Sequence, residues 1–489
     1  MVLKGCNNTV KGICSIISAV FINLITGSLF TFPNIISHYQ AFSGEKITPE
    51  NAKKLYFVAP AGIFVFNALS AVTGFLDEKL GTRILNIIAS VLLLGAHLLI
   101  YFFKIYWVLI IAYIIFGIGN SLTYFQSMKN CWKYFPDHKG LISGIILSAF
   151  GLGAFVFTSI ADGVIKSKAS TEEKAKRFEL YLMIVILCII LAGVISSVLC
   201  FPYKKLDQYI EGMPLIPDVE NKNESPTGEK KNSEEPKNEV KNEENKKDEK
   251  TLKQTICSKD FLLCLIMAVC TLIFGFLLTN TFRKFGEDSF IKKTEDDSNK
   301  KMENILKTLS KVFTLLNTFS RIIWGLIADR VKFKILYIIV CVVQILCGAT
   351  IYFSASNITA YFIVTNVGVL SYAGHVVLFP TLINTKFSVD KSVYLLGICG
   401  IFAGIAALIG PILTQFILTS KERYLIVYLV GAAPTIASLI ITIFIKIEPK
   451  PKEAPINNFV DDHYYDDVEE PENEKEVQKG LETNSINQN

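Results

Sequence analysis

Arg321 stands alone inside an otherwise apolar run, eight residues before the acid of Gly325-Leu-Ile-Ala-Asp-Arg-Val-Lys-Phe-Lys334. On a helix rising 1.5 Å per residue, its Cα lies about 12 Å along the axis from that charged cluster. A cation so deep in apolar surroundings is costly unless it faces a polar cavity or a partner, so it is a functional candidate by default. Its planar fork suits a carboxylate held by two parallel hydrogen bonds. The alternative is a structural arginine paired within the helices or reaching the charged cluster. That cluster has an earlier echo, Gly74-Phe-Leu-Asp-Glu-Lys-Leu-Gly-Thr-Arg83, 251 residues upstream. Charge clusters seated on a glycine at a helix end suit pairs that make and break as two rigid bodies rock, and ordinary juxtamembrane anchoring is the rival reading.

Other polar residues within apolar runs have weaker claims. Asn120 and Tyr124 are four apart, and Tyr372 and His375 three apart, so each pair shares a helical face. His375 reads either as a proton relay or as a satisfied interhelical histidine. His97 has no polar company in sequence and reads as packing. Lys307 and Lys311 open their run near its outer end, where they either attract anions or snorkel. The eleven cysteines form no CxxC pair and read as small buried hydrophobes, so no metal is expected. No phosphate-binding GxxxxGK(S/T), nucleophile elbow or metal cluster is present, which argues against an enzyme and against any cofactor. The basic residues are spread over loops, giving no footprint for nucleic acid.

The elements that position these residues follow from composition. The chain is 489 residues long, 51% hydrophobic and only 19% charged, with mean hydropathy +0.41. Its charges cluster between runs long enough to cross a hydrocarbon core of roughly 30 Å. An all-α integral membrane protein is expected, with twelve spans near 11–36, 55–76, 84–103, 105–127, 140–162, 179–202, 261–280, 304–327, 335–354, 359–384, 392–420 and 423–446. The first run is too long for a cleavable signal and reads as a span. At the 251-residue interval Arg83 pairs with Lys334, Gly117 with Gly368 and Gly153 with Gly404; one residue further, Phe135 pairs with Phe387 and Lys139 with Lys391. The near-constant offset predicts two pseudo-symmetric six-helix halves, 1–203 and 257–448, of the kind that hold a solute at the midplane. Residues 204–256, rich in Pro, Asn, Glu and Lys, are expected to be a disordered linker, and 449–489 a disordered acidic tail. Tail 447–489 has 4 Lys against 12 Asp+Glu although the whole chain is +5, which leaves a basic excess on the loops. Short loops on the side of the linker carry Lys79, Arg83, Lys129, Lys133, Lys139, Arg330, Lys332, Lys334, Lys386 and Lys391, against Lys104, Lys421 and Arg423 opposite, so both termini are expected to be cytoplasmic. The membrane is expected to be the plasma membrane rather than that of an organelle.

The two charged loops resemble the conserved loops between helices two and three and helices eight and nine of the major facilitator superfamily. The resemblance assigns gating to Gly74, Glu78, Lys79, Arg83, Gly325, Asp329 and Arg330, with Glu78 and Lys79 standing where Asp and Arg are usual. More specifically, Gly117-Ile-Gly-Asn-Ser-Leu-Thr-Tyr124, Trp132-Lys-Tyr-Phe-Pro-Asp-His-Lys-Gly140, Gly144 and Gly151-Leu-Gly-Ala154 resemble the oxalate:formate antiporter and monocarboxylate-porter branch. Gly27-Ser-Leu-Phe-Thr-Phe32, Asn317…Ser320-Arg321…Trp324-Gly325 and Gly410-Pro411 also fit, and both membrane halves are covered. Arg321 matches that branch's substrate-pairing arginine in helix eight. Where dicarboxylate carriers have a lysine in helix eleven, this chain has Ala403, so one cation balances one negative charge.

What this implies is a secondary or facilitative carrier of small organic monocarboxylates, lactate-, pyruvate- or formate-like, with Arg321, Asn120, Tyr124, Tyr372, His375 and Phe30 around the solute. The partners are then a small organic anion, protons if transport is coupled to them, and the lipid bilayer. Uniport, proton symport and anion exchange all stay open. So do an amino-acid carrier, whose carboxylate would use Arg321 while aromatics face the ammonium, and a sensor that binds without flux.

Overall fold

The structure is a computed structural model that describes residues 8–32, 35, 39, 42–43, 55, 58–164, 171–203, 251–291, 297–417 and 423–445, with backbone alone at 30, 171, 297, 298, 300 and 408–417. Twelve long helices run in chain order. They are α1 (Asn8–Thr26), α2 (Val58–Leu80), α3 (Thr82–Phe102), α4 (Tyr106–Tyr134), α5 (Lys139–Val164), α6 (Thr171–Leu199), α7 (Lys259–Phe290), α8 (Asp297–Ala328), α9 (Phe333–Ser354), α10 (Ile358–Lys386), α11 (Val389–Ile417) and α12 (Arg423–Phe444). α1 tightens at its end into a 3₁₀ segment, Gly27–Thr31. No strand occurs among the described residues. Residues 204–250 and 446–489 lie outside the description, as do most of the expected linker and the expected tail. The last residues of the expected linker are described: Thr251 and Gln254 form a capping box that opens the short helix Leu252–Ile256.

Among the described residues eleven helices are long and apolar enough to cross a membrane. The twelfth is α8, whose Lys301, Glu303, Lys307, Lys311 and Arg321 lower its hydropathy. Three helices run past the apolar stretches read from sequence, on the side away from the linker. α6 starts eight residues early, α7 ends ten late and α8 starts seven early. Each extension carries i,i+4 ion pairs: Lys176–Glu172 and Arg177–Glu173, Arg283–Glu287 and Lys284–Asp288, and Lys307–Glu303. Such pairs support a helix in water, where hydropathy has no signal.

Large apolar side chains point outward all round the bundle, including Phe75, Val91, Trp107, Leu187, Ile363 and Phe444, as a lipid-facing surface requires. Inside each half, buried polar groups tie three helices together. Asn86 on α3 donates to Ser18 Oγ of α1 at 3.3 Å and to Ser196 Oγ of α6 at 3.0 Å. Gln344 on α9 repeats the arrangement, donating to Thr271 O of α7 at 3.0 Å and Thr435 Oγ1 of α12 at 2.7 Å. Interhelical hydrogen bonds of this kind hold each half as a body.

The halves meet along two helix pairs, α5 with α8 and α2 with α11. Both contacts depend on the absence of side chains. A Cβ on Gly140 would lie 2.6 Å from Gly325 O, one on Gly325 2.4 Å from Gly140 O, and one on Gly397 2.3 Å from Ala71 Cα. Replacing Gly325 by Val therefore forces α5 and α8 apart. Overpacking of this kind costs about 1–3 kcal/mol, and the expected result is a lower melting temperature. Spin labels at the exposed positions 138 and 330, in a background without reactive cysteines, should also move apart in pulsed electron resonance. Gly95→Ala, where a Cβ meets nothing within 4 Å, should leave both readouts unchanged.

Candidate functional site

Arg321 lies on α8 where that helix faces α5, and is only 6% exposed. α5 comes this close because Gly144 and Gly151 line it; a Cβ on Gly144 would sit 2.5 Å from Arg321 O. Across the contact Arg321 Nη1 donates to Leu147 O at 2.6 Å, and Ser148 Oγ donates to Thr318 O at 2.7 Å. Within α8, Arg321 Nη2 reaches Asn317 Oδ1 at a long 3.4 Å, and the buried Nε has no partner. The guanidinium thus crosses from one half to the other with part of its donor capacity unused.

Two of the sequence-derived candidates share its electrostatic environment, Tyr124 on α4 and Tyr372 on α10. The Tyr124 ring is edge-on to Phe66 at 5.2 Å and to Phe150 at 5.0 Å. Tyr372 lies 6.0 Å from Phe276 and flat against Gly275, where a Cβ would come within 1.9 Å of its ring. Aromatic residues from both halves therefore lie within the field of Arg321.

Asn120 and His375 are directed elsewhere. Asn120 is fully buried and donates to Thr26 O of α1 at 3.1 Å, with its Oδ1 unpartnered. His375 packs edge-on against Tyr337 of α9 at 5.0 Å, both ring nitrogens buried without partners. The Phe30 side chain lies outside the described residues, as do those of Gly410-Pro411. Ala403 is half-buried on α11, beside Gly404, whose open face meets Asn67 of α2.

The second zone lies on the face where the linker leaves. Asp329, just past the end of α8, accepts from Gly140 N at 2.6 Å and Leu141 N at 2.8 Å, amides in the first turn of α5. A carboxylate on a helix N-terminus satisfies unpaired donors and complements the dipole. Its pseudo-symmetric counterpart Glu78 hydrogen-bonds the Tyr394 hydroxyl of α11, and Gly74 lets that ring lie against α2. Lys133 of α4 pairs with Asp390 of α11 at 2.6 Å. Gly74, Glu78, Gly325 and Asp329 thus sit where the halves touch, while Lys79 and Arg330 are exposed on the same face.

Arg83 has a different place. It donates to Ser197 O at 3.0 Å and Val198 O at 2.9 Å, the last carbonyls of α6, within its own half. Lys334 does the same to Ile443 O of α12. A cation on a helix C-terminus is an anchor, and both belong to the rigid part of each half.

Sequence reasoning passed over Asp77. It, rather than Glu78, is the buried acid of its loop: Lys129 of α4 pairs with it at 3.0 Å, with side chains 6% and 10% exposed, and Thr82 donates to its other oxygen at 3.0 Å. The partners are 52 residues apart, and Lys129 counted in sequence only as a loop cation. Asp77, Glu78, Lys129, Lys133, Asp390 and Tyr203 line a cavity of about 230 Å³ on this face.

A family model described as the Major Facilitator Superfamily matches residues 13–393 and, in a second match, 312–471. Among curated proteins, an uncharacterized MFS-type transporter of Escherichia coli K12, YhjX, is 32% identical over 92 residues, 19% of this chain and 23% of its own length. The Aspergillus niger MFS-type transporter pynF is 27% identical over 139 residues, 28% of this chain and 32% of its own. The chain thus matches less than a third of the length of these relatives. Among solved structures, the proton:xylose symporter XylE superposes with a TM-score of 0.67 at 11% identity, over 89% of this chain and 95% of its own. The E. coli fucose:proton symporter FucP superposes with a TM-score of 0.63 at 10% identity, over 89% and 98%. At such identities the likeness is one of fold.

The Asp77–Lys129 pair has a measurable signature. Removing one partner of a buried pair costs about 3–5 kcal/mol, whereas replacing both with apolar side chains is often close to neutral. Lys129→Ala should lower the melting temperature of the purified protein strongly, and the double replacement Asp77→Leu, Lys129→Met should recover most of the loss. Lys133→Ala, which breaks a partly exposed pair worth about 0–1 kcal/mol, should barely move it.

Proposed function

We propose that this chain, which belongs to the Major Facilitator Superfamily and is therefore a multi-pass membrane transporter, carries a small organic monocarboxylate by alternating access. The observation that carries this reading is the half-used guanidinium of Arg321, buried between the halves with Nε unpartnered and Tyr124 and Tyr372 alongside. A carboxylate is the ligand whose geometry matches that fork. The flanking rings accommodate a short apolar body, and Ala403 in place of a second cation favours one negative charge over two.

Arg321 also links the solute to the machine. Its Nη1 is bonded to Leu147 O of the opposite half, so a carboxylate taking two guanidinium N–H groups competes with an inter-half contact. Solute and interface then draw on the same donors, which is how binding energy biases a two-state equilibrium. In this reading the zone around Asp329, Glu78 and the Lys133–Asp390 pair is the gate, closed in this structure, and it faces the cytoplasm together with both termini. The membrane is the plasma membrane, and the boundaries of the halves fall in the linker 204–256 and before the tail at 449.

The test is uptake and counterflow in proteoliposomes with labelled lactate, pyruvate and formate. Charge-assisted hydrogen bonds are worth about 1.5–3 kcal/mol, so Arg321→Gln should lower uptake about ten- to a hundredfold at equal reconstitution, and Arg321→Lys should restore only part. Unchanged uptake in Arg321→Gln removes the role. Competition by neutral amino acids in place of lactate or pyruvate would instead identify an amino-acid carrier, and saturable binding without counterflow a sensor.

A further inference from the structure

His97 reads from sequence as packing; its surroundings assign it more. It lies on α3, 9% exposed, with its ring edge-on to Phe116 at 5.2 Å. Nδ1 is 2.9 Å from Leu93 O, one turn earlier on the same helix. A backbone carbonyl only accepts, so this contact makes Nδ1 the protonated nitrogen of the neutral ring and leaves the lone pair on Nε2. His97 lines a cavity of about 20 Å³ whose other polar walls are Ser28, Thr31, Tyr39, Tyr113 and Tyr181. That is room for about one water, with hydroxyl groups enough to bind it. His375, the other histidine inside the bundle among the described residues, lines neither cavity described here.

The cavity wall belongs to the 3₁₀ break of α1. Ser28 donates to Ile25 O at 2.6 Å, Thr31 donates to Ser28 O, and the Tyr181 hydroxyl hydrogen-bonds Thr31. This 3₁₀ turn at the end of α1 carries both of these hydroxyls, Ser28 and Thr31, of the cavity wall. Its other face packs on α5, where a Cβ on Gly27 would lie 2.1 Å from Phe150 O. Phe150 in turn touches Tyr124, which shares the field of Arg321. The titratable groups facing His97 are Tyr39 beyond the 3₁₀ segment, Tyr113 from α4 and Tyr181 from α6. The carboxylate of Glu179 on α6 is engaged by the Tyr101 hydroxyl at 3.1 Å. Among the described residues that line the cavity none is a carboxylate, and the polar groups there that could receive a proton's hydrogen bond are neutral hydroxyls.

We propose that His97 binds the proton that this carrier moves with its solute, in a hydroxyl-lined cavity against the 3₁₀ end of α1 and apart from Arg321. One proton on His97 and one monoanion on Arg321 make the step electroneutral. The proposal rests on the transport reading above, and its test has one arm that needs no solute. In nanodiscs, ¹⁵N-histidine spectra of the full chain, which has five histidines, are recorded from about pH 4 to about pH 8 and assigned by comparison with His97→Gln. His97 should pass from neutral to protonated within that range; a ring that stays neutral overturns the proposal whatever the solute proves to be.

In the transport arm, an inward gradient of about one pH unit should sustain about tenfold accumulation by the wild type. His97→Gln, and His97→Asn, which keeps a donor for Leu93 O, should only equilibrate the solute while counterflow stays within about twofold of wild type. Gradient-driven accumulation surviving in either variant, or absent from a wild type that shows counterflow, overturns the proposal. Loss of accumulation and counterflow together in both folded variants makes the role structural, and overturns it too. A wild type with no counterflow of any solute offered counts against the proposed solute class, and the titration then decides His97.

Discussion

The carboxylate of Asp329 accepts from the amides of Gly140 and Leu141 in the first turn of α5, and the contact between the halves on that face depends on it. It forms only because Gly140 and Gly325 let two backbones approach to a distance that no Cβ tolerates. The acid is therefore supplied by one half and its donors by the other, with no side chain between them. Two charge-assisted hydrogen bonds at a water-accessible edge are strong enough to favour closure and weak enough to be exchanged for water. The gate proposed above has to meet both conditions.

The same chemistry is distributed unequally over the molecule. Within each half, buried polar groups are bonded across helices: Asn86 to Ser18 and Ser196, Gln344 to Thr271 and Thr435, Asp77 to Lys129. Losing such a partner strands a desolvated group, so these contacts hold each half as a body. Between the halves, Lys133–Asp390 and Glu78–Tyr394 are at least partly exposed, and their loss is compensated by water. Rigidity inside and reversibility between follow from where each pair stands relative to solvent. Arg321 is the exception, a buried cation that spans the contact between the halves, so the proposed solute site and the interface share one side chain.

Much of the architecture was legible without coordinates. Apolar runs separated by charge are sufficient to count twelve helices, because a bilayer admits few other solutions for so many backbone polar groups. The 251-residue repeat exposed the two halves, and Gly325 with Asp329 could be read as a glycine-seated charge cluster from their types and spacing. Helix ends were less legible, since the extensions of α6, α7 and α8 rest on i,i+4 pairs rather than on hydropathy. The pairing of Asp77 with Lys129, the anchoring of Arg83 on α6 and the cavity beside His97 were not legible at all, each needing residues distant in sequence.

Sequence alone thus determined which residues are costly to bury, Arg321 first among them, because that cost depends on residue type and an apolar neighbourhood. Tertiary structure alone decided which of them have partners. Tyr124 and Tyr372 lie within the field of the guanidinium, while Asn120 and His375, one turn away on the same helices, face α1 and α9. A helix turns 100° per residue, so neighbours three or four apart share a broad face yet diverge enough to meet different helices. Spacing proposes the face, and packing chooses the neighbour.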